Sequence, residues 1–227
     1  MAATLMVVGA TVLIATSGEE SPAREQYASF PELCASTSEG AFRKYMPNAA
    51  PAAESTTEET APGTLYTTCE WAEPMTQDGA KAVTSRRLRV AARLHGGDDA
   101  IAAATSEYDA AWGGAKSMAG TDDGSMGSLH AEAPSTVADL GDHAFTHHRT
   151  LTSELADSGT VAATVRLRNV VVTVDYRGST FPLDGDGSPK LAESTPLDEE
   201  TARAGAVAIA RDVANAFETC TDCRSGG

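Results

Sequence analysis

Three kinds of residue in this 227-residue chain could do chemistry: four cysteines, a short run of histidines and a stripe of arginines. Cys34, Cys69, Cys220 and Cys223 are even in number, which behind an export segment implies disulfides. Three pairings are open, and the favoured one joins Cys34 to Cys69 and Cys220 to Cys223. A 34–69 bridge closes a loop of about 35 residues and contributes about 3–4 kcal/mol by restricting the unfolded chain. A redox role for the Cys220-x-x-Cys223 pair is disfavoured. Active thiols of that spacing sit at a helix N-terminus, whereas this pair follows a helix, at its negative end. A four-cysteine zinc site is disfavoured in an oxidising compartment.

His143, His147 and His148 do not make a metal site in a strand. Residues 143 and 147 lie about 13 Å apart, and 147 and 148 point to opposite faces. Asp184-Gly-Asp186-Gly-Ser188 starts like a calcium loop. It then places Pro189 where glycine is needed and Thr195 where a glutamate should sit, so it reads as a solvated turn. No G-x-S-x-G and no phosphate-cradling glycine loop is present. No catalytic residue, metal or cofactor is therefore assigned.

The arginines carry more information. Arg87, Arg89 and Arg93 alternate along one strand, with Leu88, Val90, Ala92 and Leu94 on the other face. Arg166 points the same way on a second strand. A basic face stands out in a chain of net charge −15. It suits an anionic partner such as a lipid headgroup or wall polymer, which arginine forks recognise. The alternative is that these arginines pair with Glu70 and Asp175 and keep an open sheet face solvated.

The element that must position these residues is Ser158–Arg177, SGTVAATVRLRNVVVTVDYR. Closed at Arg168-Asn169, it becomes a hairpin that pairs Leu167 with Val170, Val165 with Val172, Ala163 with Val174 and Val161 with Tyr176. All of these share one apolar face, and a one-residue slip would turn them to water. Asn169 suits the positive φ of a tight turn better than Arg168 does.

Around this hairpin the chain reads as a first helix over about 31–46 with a break near Ser36, a loop over 48–63 and strands over 64–73 and 86–95. In the first of these strands Trp71 is expected beside the bridge. A helix capped by Asp98 follows, with Ile101, Ala104, Thr105, Tyr108 and Trp112 as its apolar stripe and Gly113-Gly114 as its end. Residues 115–140, rich in Gly, Ser and Asp, read as a long loop that is functional or disordered. A strand over 143–151 leads into the hairpin. A second loop over 179–196 and a helix over 198–217, with Ala206, Ala210, Val213 and Phe217 inward, complete the domain.

Residues 1–17 carry no charge. They are short for a membrane span, which needs about 20 apolar residues. They suit a signal peptide with a small-residue cleavage site at Ala15-Thr16-Ser17, or an uncleaved anchor, or a buried segment. Residues 18–29 read as a polar linker, 30–223 as one domain and 224–227 as a tail. The pI of about 4.6 excludes nucleic acid as a natural partner. Only 5% of residues are aromatic, so the core is thin for its length.

Several short pieces in order resemble a family of small exported or lipid-anchored actinobacterial proteins of unknown function. They are Glu32-Leu33-Cys34 at a helix start, Cys69-Glu70-Trp71 on a strand, Leu140-Gly141-Asp142 before a strand, and Arg168-Asn169-Val170-Val171-Val172 in the hairpin. The resemblance spans roughly residues 30–218. It implies a fold related to the extracellular sensor domain of a mycobacterial receptor-type Ser/Thr kinase, a disulfide between Cys34 and Cys69, an extracytoplasmic location and no known catalysis. The N-terminal lipid-anchor cysteine frequent in that family is missing here.

The expectation is one disulfide-stapled α+β domain, an antiparallel sheet of about five strands with helices packed on one face. Its expected role is non-enzymatic: an envelope-associated or secreted module that binds or senses a ligand, attached to the membrane if residues 1–17 remain. A structural or inhibitor-like interaction protein is the second reading, and a hydrolase with an unrecognised site the third.

Overall fold

The computed structural model describes residues 26–37, 39–50, 56–75, 80–125 and 127–225. The export segment expected at 1–17, and residues 18–25 of the expected linker, lie outside these. None of the described helices is long and apolar enough to cross a membrane.

The Ser158–Arg177 hairpin sits at the centre, as the strands β8 (Ser158–Leu167) and β9 (Val170–Pro182). All four apolar pairs and the three opposite-face pairs, Arg166 with Val171, Thr164 with Thr173 and Ala162 with Asp175, form in the expected register. The positive φ falls on Arg168 (55°), not on Asn169. Asn169 is fully buried, and its side chain is committed to hydrogen bonds with the backbone of Tyr27 and His95.

A 14-residue β3 (Ala82–His95) pairs along β9, and β2 (Thr64–Ala72) pairs along β3. β7 (His143–Thr152) flanks β8 on the other side. The sheet then grows beyond the five strands expected, to ten among the described residues. The principal order is β1-β2-β3-β9-β8-β7-β5-β4, with β6 on β7 and β10 on β9.

The additional strands come from stretches that composition reads as loop. β1 (Thr56–Ala61) returns onto β2 through Pro62-Gly63. Gly63 takes φ +73° there, as a proline–glycine turn requires. β4 (Gly120–Gly124), β5 (Gly127–Ala131) and β6 (Ser135–Thr136) lie in the Gly/Ser/Asp-rich stretch. β10 (Thr195–Pro196) lies in the second expected loop. Their strand propensity is poor, and backbone pairing to a preformed neighbour overrides it.

Helices cover both faces, not one. α3 (Glu199–Thr219) lies on the hairpin's valine face, burying Ala202, Ala206, Ile209, Ala210, Val213 and Phe217 against it. Asp198 caps it by accepting from the Thr201 amide. α1 (Glu39–Tyr45) packs beside α3. The first helix is therefore short, preceded by a single 3-10 turn at Leu33–Ala35.

α2 (Ala100–Ser117) lies on the opposite face. Its Tyr108 and Trp112 rings meet Phe145 at 5.4 and 5.2 Å. Phe145 and its neighbour Ala144 alternate between the two faces, and Phe145 creates the apolar ground that α2 needs. α2 also runs through Gly113-Gly114, and its cap is Asp99, without a side-chain bond, in place of Asp98.

Both expected disulfides form. Cys34 and Cys69 lie 5.5 Å apart at Cα, and Cys220 and Cys223 lie 5.3 Å apart. Trp71 shares the face of Cys69, its ring 5.6 Å from that of Phe42. The described residues of the expected linker belong to the folded domain. Tyr27 is buried against Phe217, and Ala28 and Ser29 donate to the Cys223 carbonyl. The tail is drawn in too, since Ser225 donates to the Gln26 carbonyl.

Candidate functional site

On the face that carries α2, the sheet also lines an open trough. The trough, of about 600 Å³, crosses β2, β3, β9, β8, β7 and β5. Twist and curl across so many strands make this face concave. Strand alternation brings Arg87 and Arg89 from β3, Arg177 and Asp175 from β9, and Arg149 from β7 into it. Glu70 stands at one side, and Leu129 and Leu151, paired between β5 and β7, form the other.

Four arginines against two carboxylates leave the lining positive on a chain of net charge −15. Glu70 holds Arg89 at 3.2 Å, and Asp175 stands 3.9 Å from Arg149. Arg89 also donates to the Tyr66 hydroxyl. Arg87 and Arg177 are direct cross-strand partners, both exposed, and among the described residues neither makes an ion pair. Like charges facing each other across a ladder repel, so this pair is a ready receptor for an anion.

Of the arginine face expected from sequence, Arg87 and Arg89 reach the trough, whereas Arg93 and Arg166 do not. Arg93 lies beside α2, bonded to Glu107 at 3.0 Å and set over the Tyr66 ring. Arg166, nearly buried, pairs with Asp142 at 3.5 Å. The expected pairing with Glu70 holds for Arg89, while Asp175 stands nearest Arg149. Arg149 and Arg177 escaped the sequence reading, although the signal was there. Arg177 follows Asp175 by two residues on the outward side of β9, and Arg149 shares the parity of Phe145 on β7.

The histidines separate as expected for a strand. His143 sits against Tyr108, its ring 5.9 Å away. His147 lies on the trough side of the sheet, between Phe145 and Arg149, and is buried. Burial, with the Arg149 charge and then His148 beside it, pushes its imidazole below the ordinary range. His148 points to the other face, towards α3. The Asp184 loop is a turn: Asp184 accepts from the amides of Asp186 and Ser188 through one carboxylate oxygen.

No protein-family model and no curated protein matches the chain. Among solved structures, the crystal structure of the extracellular domain of PknH from Mycobacterium tuberculosis has a similar fold. Its TM-score is 0.51 at 14% sequence identity, over 83% of this chain and 98% of that one. The relation to a mycobacterial kinase's extracellular domain, expected from short motifs, therefore holds at the level of fold.

Proposed function

We propose that this chain is a non-enzymatic, extracytoplasmic binding or sensing module whose ligand is anionic and sits in the arginine trough. The observation that carries this reading is the Arg87–Arg177 pair, two exposed cross-strand partners of which neither makes an ion pair among the described residues. A phosphate or carboxylate between them would relieve their repulsion and accept two forks at once. The guanidinium groups of the lining, with the hydroxyls of Ser158 and Thr160 beside them, support the binding of an anion.

Two disulfides support a location outside the cytoplasm, where such bridges persist. The fold likeness to an extracellular domain points the same way. Kinship with small exported actinobacterial proteins, and attachment to a membrane through residues 1–17, belong to this same reading. The anionic material at hand would then be a lipid headgroup or a wall polymer.

Two probes separate these sources: phosphatidylglycerol vesicles and soluble poly(glycerol phosphate). At low salt the polymer is expected to bind, and the Arg87→Gln/Arg177→Gln double variant to bind it at least tenfold more weakly. Binding to vesicles alone would assign the lipid. Equal binding by wild type and double variant, or no binding of either probe, would sink the proposal.

A second reading, a protein-interaction module, draws on Leu155. This leucine is 74% exposed on a turn that Ser153 and Asp157 brace with their side chains. A Leu155→Ser variant that loses a protein partner while keeping polymer binding would favour it.

A further inference from the structure

The second cluster of chemical groups lies on the opposite face, at the start of α3. Here His148 from β7 meets Glu132, from the turn after β5, and Glu199, the first residue of α3. One nitrogen and two carboxylate oxygens lie within 4.8 Å of one another. None of the three is near another in sequence, and the sheet order and the packing of α3 on it bring them together.

The way the carboxylates divide their oxygens is informative. Glu199 gives Oε1 to Arg203 and turns Oε2 towards His148. Glu132 gives Oε2 to Arg203 at 3.6 Å and turns Oε1 towards His148. Arg203, which also donates to the Thr146 hydroxyl, thus holds both acids from one side. Their other oxygens converge on His148 Nδ1 at 3.2 and 3.8 Å.

Those separations are long for charge-assisted hydrogen bonds, which run about 2.7–2.9 Å. They suit co-ligands. Bonds of about 2.0–2.1 Å arranged tetrahedrally place ligand atoms about 3.3 Å apart. His148 is more than nine-tenths buried, and its Nε2 has no hydrogen-bond partner among the described residues. Its Nδ1 faces the acids and lies within hydrogen-bond reach of Glu132 Oε1 at 3.2 Å, the contact that an ion would replace. Arg203 sets one positive charge against the two carboxylates.

We propose that His148 Nδ1, Glu132 Oε1 and Glu199 Oε2 form a site for a divalent transition-metal ion, zinc by preference. A mixed nitrogen and oxygen set selects zinc over calcium or magnesium, which take oxygen ligands in greater number. Arg203 is then the outer partner that orients both carboxylates, the usual arrangement behind a metal's direct ligands. The two glutamates are partly exposed, so water can complete the tetrahedron from their side. The site lies across the sheet from the arginine trough and is independent of it.

The test is calorimetric titration of zinc chloride into the full chain in chelator-free buffer near neutral pH. One zinc per chain is expected, with Glu132→Gln and Glu199→Gln each weakening binding at least tenfold. Both side chains are partly exposed, so these variants keep the fold, which their melting curves check. His130→Gln and His143→Gln, which touch histidines elsewhere, should bind as wild type does. Magnesium and calcium should give no one-to-one heat. The absence of a one-to-one zinc isotherm, or unchanged affinity in both glutamine variants, would overturn the assignment, and so would magnesium binding as tightly as zinc.

Discussion

Asn169 and Tyr27 are joined by a reciprocal pair of hydrogen bonds. The Tyr27 amide donates to Asn169 Oδ1 at 2.8 Å, and Asn169 Nδ2 donates back to the Tyr27 carbonyl at 2.9 Å. The same Nδ2 donates to the His95 carbonyl at 2.7 Å. One carboxamide at the hairpin tip thereby ties β3 and the entering chain to the centre of the sheet. Asn169→Ala would leave three backbone groups, two of them buried, short of a partner. A loss of about 3 kcal/mol is expected, read by urea unfolding. Asn169→Asp keeps the acceptor but loses both donations, and should fall by a similar amount. A loss within experimental error for both variants would show that water replaces the amide at no cost.

Glycines in α2 and α3 should respond in opposite directions. A Cβ on Gly205 would stand 3.1 Å from the Tyr176 ring and 3.2 Å from the Tyr45 ring. Neither ring has room to yield: Tyr176 is fully buried and its hydroxyl donates to the Tyr45 carbonyl. Gly205→Ala should therefore lose about 1–2 kcal/mol, overpacking exceeding the gain in helix propensity. Around Gly113 and Gly114 nothing lies within 4 Å of the added atom. Alanine at either should stabilise by about 0.5–1 kcal/mol. Thermal melts of the three variants decide it, and a stabilised Gly205→Ala would mean that the two rings yield to the added methyl.

Arg87 and Arg177 should cost stability when no ligand is bound. Replacing Arg177 by Gln removes the repulsion across β3 and β9, and a gain of a few tenths to about 1 kcal/mol is expected. The gain should shrink as salt screens the exposed charges. Melting curves at low and high ionic strength test this. A destabilised variant at low salt would show that an acidic group already satisfies the pair.

His147 should make the fold sensitive to mild acid. Its imidazole in the folded chain lies below the ordinary value of 6.5, so the unfolded chain takes the proton first. Stability from this residue is full above about pH 6.5. It falls as pH drops from there towards the lower folded value. The slope for one group is at most about 1.4 kcal/mol per pH unit. Denaturant midpoints between about pH 7.5 and 5.5 should drop in wild type and flatten in His147→Gln. Parallel curves for the two proteins would remove His147 as the cause.

What could be read from the sequence was whatever depends on neighbours along the chain. Period-two alternation specified the hairpin register from Leu167–Val170 to Val161–Tyr176, because a slip exposes every valine. The inward stripe of Ala206, Ala210, Val213 and Phe217 was legible for the same local reason. So was the outward parity of Arg87 and Arg89. Residues 56–61 and 120–131 did not announce themselves as strands. Threonine, glutamate, glycine and aspartate pair there only because a neighbouring edge already offers its amides and carbonyls. The second helix-bearing face, the meeting of Arg149 and Arg177 with Arg87, and that of His148 with Glu132 and Glu199 were settled by sheet order and curl. These contacts join residues up to about 90 positions apart, a distance over which no local pattern carries information.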